Sequence, residues 1–263
     1  MAEKDFQISL SEAVPKHEAP LRATTDMVVF EYERPAAAVV PLFFKLSALS
    51  AMRAHCMTDR SRELGGALIG RRALWQLPGE APFEAIELEQ ALPAQHITHT
   101  HTNVTFTHAT WNAFAAELDA NWPGLKIMGW YHTHPGFGVF LSGFDQFIQQ
   151  NFFSAPGQVA VVYDPVQGKL GAFQQGPEGL RRVGFWLFGP VGAEARMKEL
   201  LQLMGLAGPD GLARQDLLPV DEAALAELPR LGSVSKAALE AGYEKRDQMA
   251  QRHASEGQID TTV

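Results

Sequence analysis

The alternation of apolar and polar positions tightens after about residue 26 and holds to about residue 190. MVVFEYE and AAAVV each carry a short β-type pattern, with Pro35 between them as a breaker. Leu42, Leu46, Leu49, Met52 and Cys56 recur at helical spacing, which predicts a helix from about Leu42 to Met57 with Pro41 in its tolerant first turn. GGALIG, flanked by charges, reads as a buried strand with Glu63 just ahead of it, and FEAIELEQAL as the next strand. QHITHTHTNVTFTHATW alternates in the β manner. WNAFAAELDANW sets Trp111, Phe114, Ala115 and Leu118 on one helical side and is stopped by Pro123 and Gly124. LKIMGWYHTH reads as a strand, SGFDQFIQQNFF as a helix and GQVAVVYDP as a strand closed by a turn. KLGAFQQG and LRRVGFWLFG follow as two strands joined by a hairpin around Gly176 to Gly179. Strands alternating with helices predict one α/β or α+β domain over residues 26–190.

The flanks differ in character. Residues 1–25 are polar and proline-punctuated, the pattern of a loosely ordered arm, and residues 191–263 hold short Ala/Leu/charge helical stretches separated by Gly and Pro, with a frayed end. The net charge of −8 and a pI near 5.6 disfavour a nucleic-acid backbone as partner. Neither a bilayer-spanning apolar run nor a signal-type apolar region is evident, so the expectation is a cytoplasmic chain with no membrane partner. The single cysteine, Cys56, rules out an intramolecular disulfide and a cysteine-rich zinc site, and its helical spacing reads as a small packed side chain.

Candidate chemistry is concentrated in GWYHTHPGFGVFLSGFDQF. Residues i and i+2 of a strand project to one face, so His132 and His134 can address a single ion. Ser142 and Asp145 form a Ser-x-x-Asp pair, the signature of a helix N-terminal capping box, and the same first turn can offer the Asp145 carboxylate to that ion. Two imidazoles and a carboxylate around zinc leave one position open for the reacting water, the arrangement of a catalytic rather than a closed structural site. A hydrolase of that kind needs a proton acceptor, for which Glu63 is the candidate. On spacing alone the bland readings stay open: a capping serine, strand-end histidines and a solvated glutamate.

HTHPGFGVFLSGFD fits the His-x-His, seven residues, Ser-x-x-Asp signature of the JAMM (MPN-plus) zinc metalloproteases, and ELGGALIG resembles the segment bearing that family's upstream glutamate. GWYHTHPGFG and AVVYDPVQGK look particularly like the proteasome-lid deubiquitinase and signalosome deneddylase members. The resemblance covers about residues 36–175. It implies an MPN/JAB-like mixed sheet flanked by helices, one zinc per chain held by His132, His134 and Asp145, Glu63 as proton shuttle and Ser142 as oxyanion stabiliser. The implied activity is an isopeptidase acting on conjugates of ubiquitin or a ubiquitin-like modifier, with activating and conjugating enzymes of that pathway as further partners. The alternatives are a peptidase that trims a ubiquitin-like or sulfur-carrier precursor, and a non-catalytic MPN scaffold. One departure is the Gly138-Val139-Phe140 turn, where eukaryotic relatives carry Gly-Cys-Trp. His99, His101, Thr105 and Phe106 form a second candidate group, a loop bordering the cleft along which an extended modifier tail can add as a strand.

Overall fold

The computed structural model describes residues 27–32, 39–76, 83–95, 98–100, 103–206 and 218–219. The chain runs β1 (Met27–Tyr32), β2 (Leu42–Lys45), α1 (Leu46–Cys56), β3 (Gly65–Gln76), β4 (Phe83–Pro93), β5 (Thr98–Thr100), β6 (Asn103–Thr105), α2 (His108–Asn121), β7 (Lys126–Thr133) and α3 (Gly143–Phe152). It continues through β8 (Val159–Asp164), β9 (Lys169–Gly176), β10 (Gly179–Val183), β11 (Phe185–Pro190), α4 (Glu194–Leu203) and β12 (Leu218–Pro219). The class is α+β. Strands pair in the order β1-β11-β2-β4-β3-β7-β8-β9-β10, with β12 added beside β3, and β5 and β6 form a separate hairpin. Pairing is parallel at β11/β2, β2/β4 and β7/β8, and antiparallel elsewhere.

That order fixes the shape of the sheet. β10 lies at one end of it and β11 next to the other, yet only Gly184 separates them in the chain. The sheet must therefore curl until its ends nearly meet, and Arg182 on β10 reaches the hydroxyl of Tyr32 on β1 at 3.4 Å. Inside the curl, Phe44, Leu68, Leu88, Tyr131, Val161 and Leu187 pack with Leu49, Met52 and Cys56 of α1 and Met197 and Leu201 of α4. Cys56 is fully buried there and burial pushes its thiol pKa up, in keeping with a packing role. On the outer face, α2 and α3 cover Ala67, Ile69, Trp130 and Ala160. Further along that face Phe43 is stacked between Trp75 and Trp186, with centroids 3.9 and 4.7 Å away.

Four stretches depart from the sequence reading. Leu42–Lys45 is a strand, and the helix starts only at Leu46. Leu42 and Phe44 enter the inner core while Phe43 enters the outer one, so this stretch is buried on both faces between β11 and β4. The helical phase of Leu42 with Leu46 was coincidental to that two-sided burial. Second, LRRVGFWLFG is two strands that break at Gly184 and pair at opposite ends of the sheet. Third, α2 begins three residues earlier than its apolar face suggests, because Thr107 caps it reciprocally with Thr110. Val39 and Val40 are not in a strand. The N-terminal arm and the helical stretches expected after residue 206 lie outside the described residues; beyond residue 206 only β12, Leu218–Pro219, is described.

Candidate metal centre

β7 sits between β3 and β8, so both its edges are paired, and its two faces pack into the inner and outer cores. Trp130 and His132 project outward from it, Tyr131 points into the inner core, and His134 follows at the strand's end with its amide still donating to Tyr163 O at 3.0 Å. The His132 ring is fully buried and stacked on Trp130, with centroids 4.5 Å apart and planes 10° off parallel. The Trp130 indole N–H donates to Gln149 Oε1 at 2.9 Å, and the Gln149 amide donates to the carbonyls of Phe153 and Gln158. Gln149 thus joins the strand that carries the histidines to α3, the helix that carries Asp145.

Ser142 is the N-cap of α3. Its Oγ accepts from Asp145 N at 3.2 Å, and Asp145 Oδ2 accepts from Ser142 N at 2.7 Å, which closes the capping box expected from the sequence. The box fixes the aspartate rotamer and turns the carboxylate toward the histidines. Asp145 Oδ1 lies 3.2 Å from His132 Nε2, Asp145 Oδ2 3.5 Å from His134 Nε2, and the two Nε2 atoms 3.0 Å from each other. Burial acting alone would raise the Asp145 carboxyl pKa. The charge of His132 and hydrogen bonds from His132, His134 and Ser142 outweigh it and hold the group far below the usual carboxylate range.

Glu63, 69 residues before His132, arrives by a different route. Leu64 donates its amide to Thr133 Oγ1 and accepts from Thr133 N, both at 2.8 Å, so the residue after Glu63 is locked to the residue between the two histidines. Glu63 is buried, with Oε1 4.0 Å from His134 Nε2.

These donors suit a metal ion. Tetrahedral ligands about 2.0–2.1 Å from zinc stand roughly 3.3 Å from one another, and the nitrogens and carboxylate oxygens here are 3.0–3.5 Å apart. Two Nε2 atoms facing each other at that distance, beside a carboxylate, form a donor set that a cation stabilises. His132, His134 and Asp145 are the buried cluster with metal-holding geometry among the described residues.

The second candidate group fares differently. His99 lies on β5 and Thr105 on β6, whereas His101 falls outside the described residues. Phe106, expected as a cleft contact, is buried instead, its ring packed on Trp111, Phe114 and, edge-on at 5.9 Å, Trp130. Its aromatic ring belongs to the core that supports His132. Thr133 and Gln149 both brace the centre and were not singled out from the sequence, which presents them as an alternating strand residue and a helix polar residue. Among the described residues no helix is long and apolar enough to cross a membrane.

Residues 45–169 match the family described as prokaryotic homologs of the JAB domain. The chain is 33% identical over 150 residues to COP9 signalosome complex subunit 5 of Eremothecium gossypii, covering 52% of this chain and 34% of that protein. The Caenorhabditis elegans protein of the same name is 33% identical over 156 residues, 54% and 40% of the two chains. A 46-residue segment is 52% identical to the 26S proteasome regulatory subunit rpn11 of Schizosaccharomyces pombe, 17% of this chain and 15% of that one. This chain therefore spans only about a third of the length of the curated signalosome relatives it matches. Residues 45–169, within which His132, His134, Asp145, Glu63 and Ser142 converge, are thus similar to the prokaryotic JAB-domain family and, over part of their length, to signalosome and proteasome subunits.

Proposed function

We propose that the protein is a zinc-dependent isopeptidase that releases ubiquitin or a ubiquitin-like modifier from lysine-linked conjugates. The observation that carries this reading is the placement of a buried glutamate, Glu63, beside a compact His132–His134–Asp145 donor set, its oxygen 4.0 Å from His134 Nε2. A purely structural metal site has no use for an extra carboxylate at its open side. Relatives named as signalosome and proteasome subunits favour the same substrate class.

His132 Nε2, His134 Nε2 and Asp145 would hold the ion. Zinc in such a site supplies Lewis-acid polarisation of the scissile carbonyl and acidifies a water. Glu63 would serve as the proton carrier of the reaction, accepting a proton from the attacking water and returning it to the lysine amine as the isopeptide C–N bond breaks. Ser142 Oγ accepts from Asp145 N, which leaves its own O–H to donate to the oxygen that gains negative charge at the tetrahedral carbon. Burial of both histidines and of Asp145 keeps these interactions in a medium where they are strong.

The decisive experiment is cleavage of a lysine-linked ubiquitin-like conjugate by wild type and Glu63→Gln, with zinc quantified in both and a linear modifier fusion as second substrate. Wild type should cut the lysine-linked conjugate and the variant should not, each holding about one zinc. Normal turnover by Glu63→Gln would refute the assignment, and cleavage of the linear fusion alone would reassign the enzyme to precursor processing.

A further inference from the structure

Seven residues join His134 to Ser142, and little apolar burial holds them in place. Phe137 is 67% exposed and Phe140 46%, while Val139 and Leu141 are only half-buried. Polar contacts to the end of β8 take over that task. Asp164 is fully buried, and its Oδ1 accepts from the amides of Gly136 at 3.0 Å, Val166 at 2.9 Å and Gln167 at 3.0 Å. Its Oδ2 accepts from Gly138 N at 2.8 Å, and the Gln167 side chain returns a bond to Gly136 O at 3.2 Å. One carboxylate thus gathers four backbone amides from two turns. Burial would raise its pKa, but these four hydrogen bonds together hold it below the ordinary value. Gly136 and Gly138 have φ of 81° and 87°, a region that admits the tight path between the two anchored amides.

We propose that Asp164 is a positioning residue of the metal centre: it clamps the Pro135–Gly138 turn and thereby sets the separation between His134, just past the end of β7, and the Ser142/Asp145 pair at the start of α3. The catalytic part of this inference rests on the isopeptidase reading, whereas the metal part rests on geometry alone. Ligands at the two ends of an unclamped loop must be ordered at the moment the ion binds, and that ordering lowers affinity. A simpler role is available, since the bonds to Val166 and Gln167 by themselves would shape the turn into β9.

Asp164→Asn separates the two roles atom by atom. Asparagine keeps Oδ1 for Val166, Gln167 and Gly136 and is well suited to such turns, but it sets an NH2 group against the Gly138 amide. Gly138→Ala strains the same turn from the other side with the carboxylate intact, because a Cβ there meets no heavy atom within 4 Å and acts only through the positive φ. The full chain is measured as wild type and as each variant. Zinc affinity is read by competition with a chromophoric chelator, kcat and KM on the lysine-linked conjugate, and the unfolding midpoint without zinc. Both variants should lose about tenfold or more in zinc affinity and in kcat/KM. Zinc affinity and kcat/KM within twofold of wild type in both, whatever happens to the midpoint, would reduce Asp164 to a turn former. A wild type that binds zinc but cleaves nothing removes the isopeptidase reading and leaves Asp164 to be judged on zinc affinity. A wild type that takes up no zinc overturns both.

Discussion

Ser142 holds two tasks in one side chain. As N-cap it satisfies the Asp145 amide, a contribution of about 1 kcal/mol, and as a hydroxyl it faces the proposed reaction. The tasks separate by substitution. Ser142→Ala should lower stability by about 1 kcal/mol and kcat by about 10²–10³-fold, whereas Ser142→Gly, which tolerates the N-cap position, should lose only a few tenths of a kcal/mol and the same factor in rate. Chemical denaturation alongside steady-state kinetics reads both. Equal rates for Ser142→Gly and wild type would leave the serine with its capping task alone.

The elements that carry the centre are joined through buried polar bonds as well as packing. Gln149 ties β7 to α3 through the Trp130 indole and two carbonyls, all buried. Gln149→Leu strands those partners, so unfolding free energy in urea should fall by at least about 2–3 kcal/mol; a smaller loss would mean that packing alone fixes the helix. This connection also marks where the sequence ceased to be readable. His132, His134, Ser142 and Asp145 were legible because all four lie within fourteen residues on one strand, one turn and one helix start, where period and capping rules operate. Glu63 is brought in across 69 residues by the Leu64–Thr133 exchange; the chemistry named it as a candidate, but on spacing alone a solvated glutamate stayed open, and the family signature was needed to favour it. Gln149 and Asp164 present ordinary local patterns, and their partners are chosen by how strands pair. The same is true of Leu42–Lys45, whose two-sided burial depends on β11, encoded some 140 residues later.

At the scale of the whole molecule, the ligand set spans the middle of the curled sheet and one outer helix, so an ion bound there stabilises the folded domain. With zinc at a hundredfold excess over its Kd the gain is about 2.7 kcal/mol, which for a domain of this size is an increase in Tm of roughly 5–10 °C. His134→Ala should show no such increase in a thermal melt with and without zinc. An equal shift in that variant would place the ion elsewhere.

The single-residue step at Gly184 has a bearing on how the chain reaches this state. β1 cannot find its neighbour until β11 exists, and Glu31 meets Trp186 across 155 residues of sequence. On a ribosome the first described strand must therefore wait, unpaired, until nearly the whole sheet has been made. By then β3, β4, β7 and β8 are all available to pair, so the half of the sheet that bears the histidines can assemble first, while closure of the curl is the slow event of highest contact order.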